Sequence, residues 1–190
     1  MRALADTGKT DMVTLRTGLF AGRRYAIGLL PLLLPRLRTH LVPWVARGRT
    51  GLPIVAGEDI GQAFMLAAAA SGLQGYQAFN IVGPETPSAR EVITYICNAY
   101  DISAPHFSVP FPLAYVFARA MELLDPLVPW GPLVTRSIVH LLEETGATNQ
   151  RAHRLLGYVP NVDWRAALDM QMEEMARHAG TVSMARPLHG

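Results

Sequence analysis

Met12 to Tyr25 reads M-V-T-L-R-T-G-L-F-A-G-R-R-Y: a β-rich run, a glycine-bearing turn and a pair of arginines. Val13 and Leu15 alternate with Thr14 and Arg16. That alternation fits a short strand, because side chains point to opposite faces along a pleated backbone and branched or apolar residues favour it. Gly18 and Gly22 predict a turn at the carboxyl end of this strand. In an α/β sheet that is where ligands bind, since backbone N–H groups are exposed there at a crevice between crossovers. An ordinary strand and turn of a globular domain is the plainer alternative.

Upstream, Ala3 to Thr10 (A-L-A-D-T-G-K-T) matches a loose phosphate-loop pattern with Ala in place of the first Gly. The context excludes it. Such a loop needs a strand before it and a helix opening at the Lys-Thr, so that amides and the helix dipole face the phosphates. Here two residues precede the pattern and a strand-like run follows.

Downstream, Tyr25 to Ala46 is apolar, interleaved with arginines and interrupted by Pro31, Pro35 and Pro43. Proline removes a helix hydrogen bond and clashes with the preceding turn, which predicts short helical pieces. A broken, apolar, basic segment suits a cover over a pocket, or a surface lying on a membrane with Trp44 at the interface.

Leu52 to Val55 predicts a strand, followed by a turn at Ala56-Gly57-Glu58 and a helix from Asp59. Asp59 with Gln62 three residues on has the form of a capping box, so Asp59 reads as a structural cap rather than a catalytic base. Ile60, Ala63, Phe64 and Ala67 are the expected buried stripe. Tyr76 to Val82 predicts another strand, ended by Gly83-Pro84. Ser88 with Glu91 forms a second capping box ahead of a stripe of Val92, Ile93, Ile96 and Tyr100. His106 to Val109 is a further strand candidate, and Pro112 and Pro132 are expected to open helices. Thr148 begins a short helix closed by Gly157. Asp163 is an N-cap for a last helix with Leu168, Met172 and Met175 on one face.

The chain has 190 residues, 50% hydrophobic and 17% charged, which suits one domain with a real core. The single Cys97 excludes an intramolecular disulfide and makes a reducing, cytoplasmic setting the expected one. Ala26 to Pro35, the longest apolar run, falls well short of the roughly 20 residues that span a bilayer. The formal charge of +2 conceals an asymmetry. Met12 to Gly57 holds seven arginines (Arg16, Arg23, Arg24, Arg36, Arg38, Arg47, Arg49) and no acidic residue, hence +7. Such a segment serves to hold an anionic ligand, to touch anionic lipid or nucleic acid, or is a solvated face.

Six histidines are scattered, and only His140 and Glu144 share a helical face, without a third ligand; no metal site is expected. Cys97 falls on an apolar stripe, as a packed thiol does. Lys9 is the sole lysine. No G-x-G-x-x-G, G-x-x-G-x-x-G, G-x-S-x-G or Y-x-x-x-K pattern occurs.

In order along the chain stand L-R-T-G-L-F-A-G (Leu15 to Gly22), I-V-A-G-E-D-I-G-Q-A (Ile54 to Ala63), F-N-I-V-G (Phe79 to Gly83), S-A-R-E-V (Ser88 to Val92) and L-G-Y-V-P (Leu156 to Pro160). Together they resemble the C-terminal half of extended short-chain dehydrogenases/reductases (SDRs), the NAD(P)-dependent epimerase/dehydratase family. Thr17 departs from that family's proline. The resemblance implies an α/β fold: the C-terminal part of a Rossmann-type fold, helix-rich, with a few short strands. Residues 1–180 would be the substrate-binding half, with the cofactor-binding half absent, and 181–190 a flexible tail.

By the same resemblance, Thr17, Gly18 and Leu19 would line NAD or NADP, while Phe20, Arg23 and Tyr25 would face the substrate. No residue of this sequence matches the family's catalytic Tyr and Lys. The implied function is the substrate-binding portion of an NAD(P)-dependent epimerase/dehydratase or a 3β-hydroxysteroid-dehydrogenase-like oxidoreductase, acting on an alcohol or ketone and inactive alone. The apolar Ala26 to Val45 stretch leans toward the second branch. The expected partners are a small apolar substrate and either a second copy or the missing N-terminal half, and no nucleic acid. The alternatives are a non-catalytic binding module and a peripheral membrane protein.

Overall fold

The computed structural model describes residues 5, 7–8, 10–23, 28–110, 112–113, 116 and 146–184. Its organising feature is an extended run with a sideways jog. Strand β1 (Met12–Thr17) pairs in parallel with β5 (Tyr76–Ile81), Met12 opposite Tyr76 and Thr17 opposite Ile81. One residue later the chain changes neighbours. The Gly18 N–H donates to the Ile81 carbonyl at 2.9 Å and the Leu19 N–H to the Pro53 carbonyl at 2.8 Å. Strand β2 (Leu19–Ala21) then pairs in parallel with β4 (Ile54–Ala56).

The expected turn at Gly18 is therefore corrected. The backbone stays extended through Gly18 and first turns at Gly22, whose φ is +127°. What Gly18 provides is proximity. A Cβ there would stand 1.9 Å from the Pro53 carbonyl oxygen, so any side chain would push the two strands apart.

Helix α2 (Gly57–Ala69) follows β4 without an intervening turn. Ala63 is buried, and Ile60, Leu66 and Ala67 pack against the core. Phe64, expected in that stripe, is 59% exposed. The helix is rotated so that Leu66 takes its place. The core gathers Val55 of β4, Phe79 and Ile81 of β5, Ala63, and Ala152, Leu156 and Tyr158. Ala152 and Leu156 lie on α4 (Gln150–Leu156), which ends on Gly157 in the left-handed conformation that glycine tolerates. The last helix, α5 (Trp164–Met184), starts at an N-cap: Asp163 Oδ1 accepts from the Arg165 N–H at 2.9 Å, and its carbonyl accepts from Ala167 at 3.0 Å.

Within the described residues, the chain forms two compact units. One gathers Met1–Leu30, Pro53–Glu85 and Ala147–Gly190, the other Pro31–Leu52 and Thr86–Gly146. The second unit contains α3 (Ala89–Ala99), with Val92, Ile93, Ile96 and Cys97 buried, and a two-residue parallel pairing of β3 (Trp44–Val45) with β6 (Ser108–Val109). Helix α1 (Leu29–Leu37) accommodates Pro35 within its length and is followed by a loop, in keeping with a proline-broken segment. Trp44, which the alternative reading put at a membrane interface, is only 6% exposed and lies beneath the Arg90 guanidinium, 4.3 Å from the ring centre. Among the described residues no helix is long and apolar enough to cross a membrane. The readings at Lys9, Arg24, Tyr25, His140 and Glu144, most of the helices expected from Pro112 and Pro132, and residues 185–190 lie outside the described residues.

Candidate functional site

At the jog β1 and β5 end where β2 and β4 begin. The carboxyl ends of β1 and β5 lie side by side at Thr17 and Ile81, and those of β2 and β4 at Ala21 and Ala56. The two pairs are stitched together at Gly83, whose N–H donates to the Ile54 carbonyl at 2.8 Å. Thr17 is exposed, and Gly18 and Leu19 are half-buried, on one continuous extended run of backbone. Phe20 is half-buried and packs against the core; Arg23 is exposed just beyond Gly22. The structure thus brings Thr17 to Phe20 together at the strand ends, with Arg23 on the loop that leaves them. Tyr25 lies outside the described residues.

Three buried polar side chains support this end of the sheet. Asp59, 2% exposed, is the third residue of α2, not its N-cap. Its Oδ1 accepts from the Asn161 N–H at 2.9 Å and its Oδ2 from the Val162 N–H at 3.1 Å. The expectation of a local capping box is corrected: the carboxylate holds the loop before α5, though its role remains structural. The sequence hid this because Asn161 and Val162 present backbone amides, which leave no mark on residue identity.

Tyr158 is fully buried and donates its hydroxyl to the Val82 carbonyl at 3.1 Å, fixing the chain where β5 ends. Burial, aided by the negative charge of Asp59, pushes its phenol pKa well above the usual tyrosine value. Its only sequence signal was its place in L-G-Y-V-P.

Gln171 on α5 is the third. It is 1% exposed, on a face shared with the buried Trp164, Ala167 and Leu168, and neither its amide nitrogen nor its amide oxygen has a hydrogen-bond partner among the described residues. Leaving such a group unmatched costs about 1–3 kcal/mol. The expected stripe of Leu168, Met172 and Met175 passed over it, although it stands three residues after Leu168.

Cys97 is buried on α3 and its thiol pKa is raised by burial, which makes it a packed thiol. Among the described residues no group of three or more His, Cys, Asp or Glu side chains could hold a metal ion.

No protein-family model and no curated protein matches the chain. Solved structures do. The gox2253 structure superposes with a TM-score of 0.61 at 18% identity, over 87% of this chain and 49% of its own. The UDP-glucuronic acid 4-epimerase from Bacillus cereus, solved with UDP-glucuronic acid and NAD, gives 0.56 at 18% identity, over 87% and 45%. The human epimerase family protein SDR39U1 (isoform 2), solved with NADPH, gives 0.58 at 18% identity, over 86% and 49%. The chain therefore shares a Rossmann-type fold with part of each of these structures, helix-rich with short parallel strands. It spans about half the length of the structures it matches.

Proposed function

We propose that this chain forms the substrate-side part of an NAD(P)-dependent epimerase/dehydratase-type oxidoreductase acting at an alcohol or ketone carbon. The observation that carries the reading is the jog at Gly18. There, the carboxyl ends of β1 and β5 meet the start of the β2 and β4 pair, with no room for a side chain between Gly18 and Pro53. Thr17, Gly18 and Leu19 would line the nicotinamide cofactor, and Phe20, Arg23 and Tyr25 the substrate. The sequence contains neither a glycine-rich phosphate loop nor Y-x-x-x-K, so the phosphate cradle and the proton-transferring tyrosine would come from sequence other than these 190 residues. The chain alone is expected to be catalytically silent. The absence of a sugar-nucleotide-type G-x-G-x-x-R-x-F pattern, together with the apolar Ala26 to Val45 stretch, favours an apolar alcohol over a nucleotide sugar.

Titration of the chain with NADH and NADPH, followed by nicotinamide fluorescence and calorimetry, tests this. Weak, saturable binding that Leu19→Asp abolishes is expected. Binding indifferent to that substitution would remove Leu19 from the cofactor wall, and no binding of either cofactor would leave the second reading, a non-catalytic partner module. That reading draws on α2, where Phe64 and Met65 are 59% and 74% exposed.

A further inference from the structure

We propose that the turn from Ala46 to Gly48 is a strained strap latched by Arg90, and that its opening uncovers the buried ring of Trp44. The strap lies within the second unit, and the proposal stands apart from the reading of the chain as an oxidoreductase.

The strain is in the backbone. Ala46, Arg47 and Gly48 have φ values of +48°, +59° and +69°, three left-handed residues in succession. Glycine adopts that region freely, but alanine and arginine bring their Cβ too close to the following carbonyl oxygen. Such residues occur singly as a rule, and a run of them persists only where the surroundings impose it. Within the turn itself the Arg49 N–H donates to the Ala46 carbonyl at a long 3.3 Å.

Arg90 supplies the constraint. Its Nε and Nη2 donate to the Arg47 carbonyl at 3.1 and 3.0 Å, while its guanidinium covers the Trp44 ring. Gly48 leaves room for this arrangement: a Cβ there would stand 2.9 Å from Trp44 Cε3 and 3.0 Å from Arg90 Cβ. Arg90 is the second residue of α3, where the positive end of the helix dipole disfavours a cation. Among the described residues, its side-chain hydrogen bonds and ring contact all go to Arg47 and Trp44. Its place is thus explained by the strap and not by the helix.

The opposing effects are of the same order. Two left-handed residues bearing side chains cost about what hydrogen bonds from a charged group to one carbonyl return. The strap therefore stays closed by a narrow margin that depends on Arg90. Its ends are fixed independently: the Trp44 N–H donates to the Phe107 carbonyl at 2.8 Å, and the Thr50 carbonyl accepts from the Ala89 N–H at 2.8 Å. Opening is thereby confined to residues 45–49, and a strap that lifts away from Arg90 takes the cover off Trp44.

Amide exchange of the full chain, followed by NMR, provides the test. It is read at the Arg49 N–H in the strap, at the Trp44 indole N–H beneath Arg90, and at the buried Ile96 of α3 as reference. In Arg90→Met, exchange at Arg49 and Trp44 is expected to quicken at least tenfold, with Ile96 unchanged. Adding Ala46→Gly and Arg47→Gly to that variant should bring the Arg49 rate back within about threefold of the native chain, because glycine holds the left-handed conformation without a latch. Where Arg90→Met fails to fold, the two glycines in the otherwise native chain decide: slower exchange at Arg49 sustains the strap, and an equal or faster rate overturns it. In a folded Arg90→Met chain, unchanged exchange at Arg49, quickening there without Trp44, equal quickening at Ile96, or no rescue by the glycines would each overturn the proposal.

Discussion

Helices α2 and α3 are held at their starts in opposite ways. At α3, Ser88 and Glu91 serve each other within four residues: the serine hydroxyl accepts from the Glu91 N–H at 3.2 Å, and the Glu91 carboxylate accepts from the Ser88 N–H at 2.8 Å. At α2 no side chain caps the helix, and Asp59 turns away from it to bind amides 102 and 103 residues further along the chain. A local cap fixes one helix end. A buried carboxylate spanning the chain fixes one element against another, and its loss opens more of the molecule.

The sharpest way to break the long-range side of this contrast is Gly18→Ala. The added methyl would lie 1.9 Å from a backbone oxygen that cannot move without dragging β4 with it. Overlap with backbone, rather than with the end of a flexible side chain, places this among the most damaging class of substitutions, above about 3 kcal/mol. Loss of the thermal unfolding transition, or a fall in its midpoint beyond about 10 °C for a domain of this size, is the expected outcome. A near-native midpoint would show that the two strand pairs are not so tightly apposed.

Asp59 comes next, at about 3 kcal/mol for Asp59→Ala, because two amides lose a charged acceptor in a buried setting. The informative variant is Asp59→Ser. Serine is a good N-cap, so a capping role would be largely retained. Its hydroxyl is too short to reach both Asn161 and Val162, so urea unfolding is expected to place it close to Asp59→Ala.

Tyr158→Phe removes one buried hydrogen bond, about 1 kcal/mol, and also a pH dependence. The folded-state pKa of the phenol lies above the unfolded value of about 10. Its contribution is therefore full below pH 10 and lost as the pH rises through the folded value. Urea midpoints measured between pH 8 and 11 should fall more steeply for the native chain than for Tyr158→Phe. Parallel slopes would remove Tyr158 as the cause.

What was legible in the residues follows the same division. The Ser88 box, the Gly157 stop and the Asp163 cap all depend on neighbours within a few positions, and the strands at Val13 and Tyr76 show as a local alternation of side chains. The jog at Gly18 depends on Pro53, Asp59 on two backbone amides, and Tyr158 on a backbone carbonyl. Backbone partners carry no residue signature. Phe64 shows a further limit, since a helix apolar on nearly every face gives no indication of which way it is rotated. The candidate residues Thr17 to Phe20 came from the family resemblance, the strand pattern itself having predicted a turn at Gly18, whereas Gln171 was hidden inside an apolar stripe that periodicity treats as uniform.

The smallest effect belongs to the local cap, and it completes the contrast. Ser88→Ala removes the acceptor for the Glu91 N–H and loosens the returning bond from the Glu91 carboxylate, for about 1 kcal/mol. Because the damage is confined to the first turn of α3, Ser88→Thr should restore most of it with no other change. Amide exchange should quicken at Arg90 and Glu91 in Ser88→Ala while the amides of β5 stay protected. Exchange quickening in β5 as well would mean that this cap also holds distant elements, and the distinction between the two helix starts would fall.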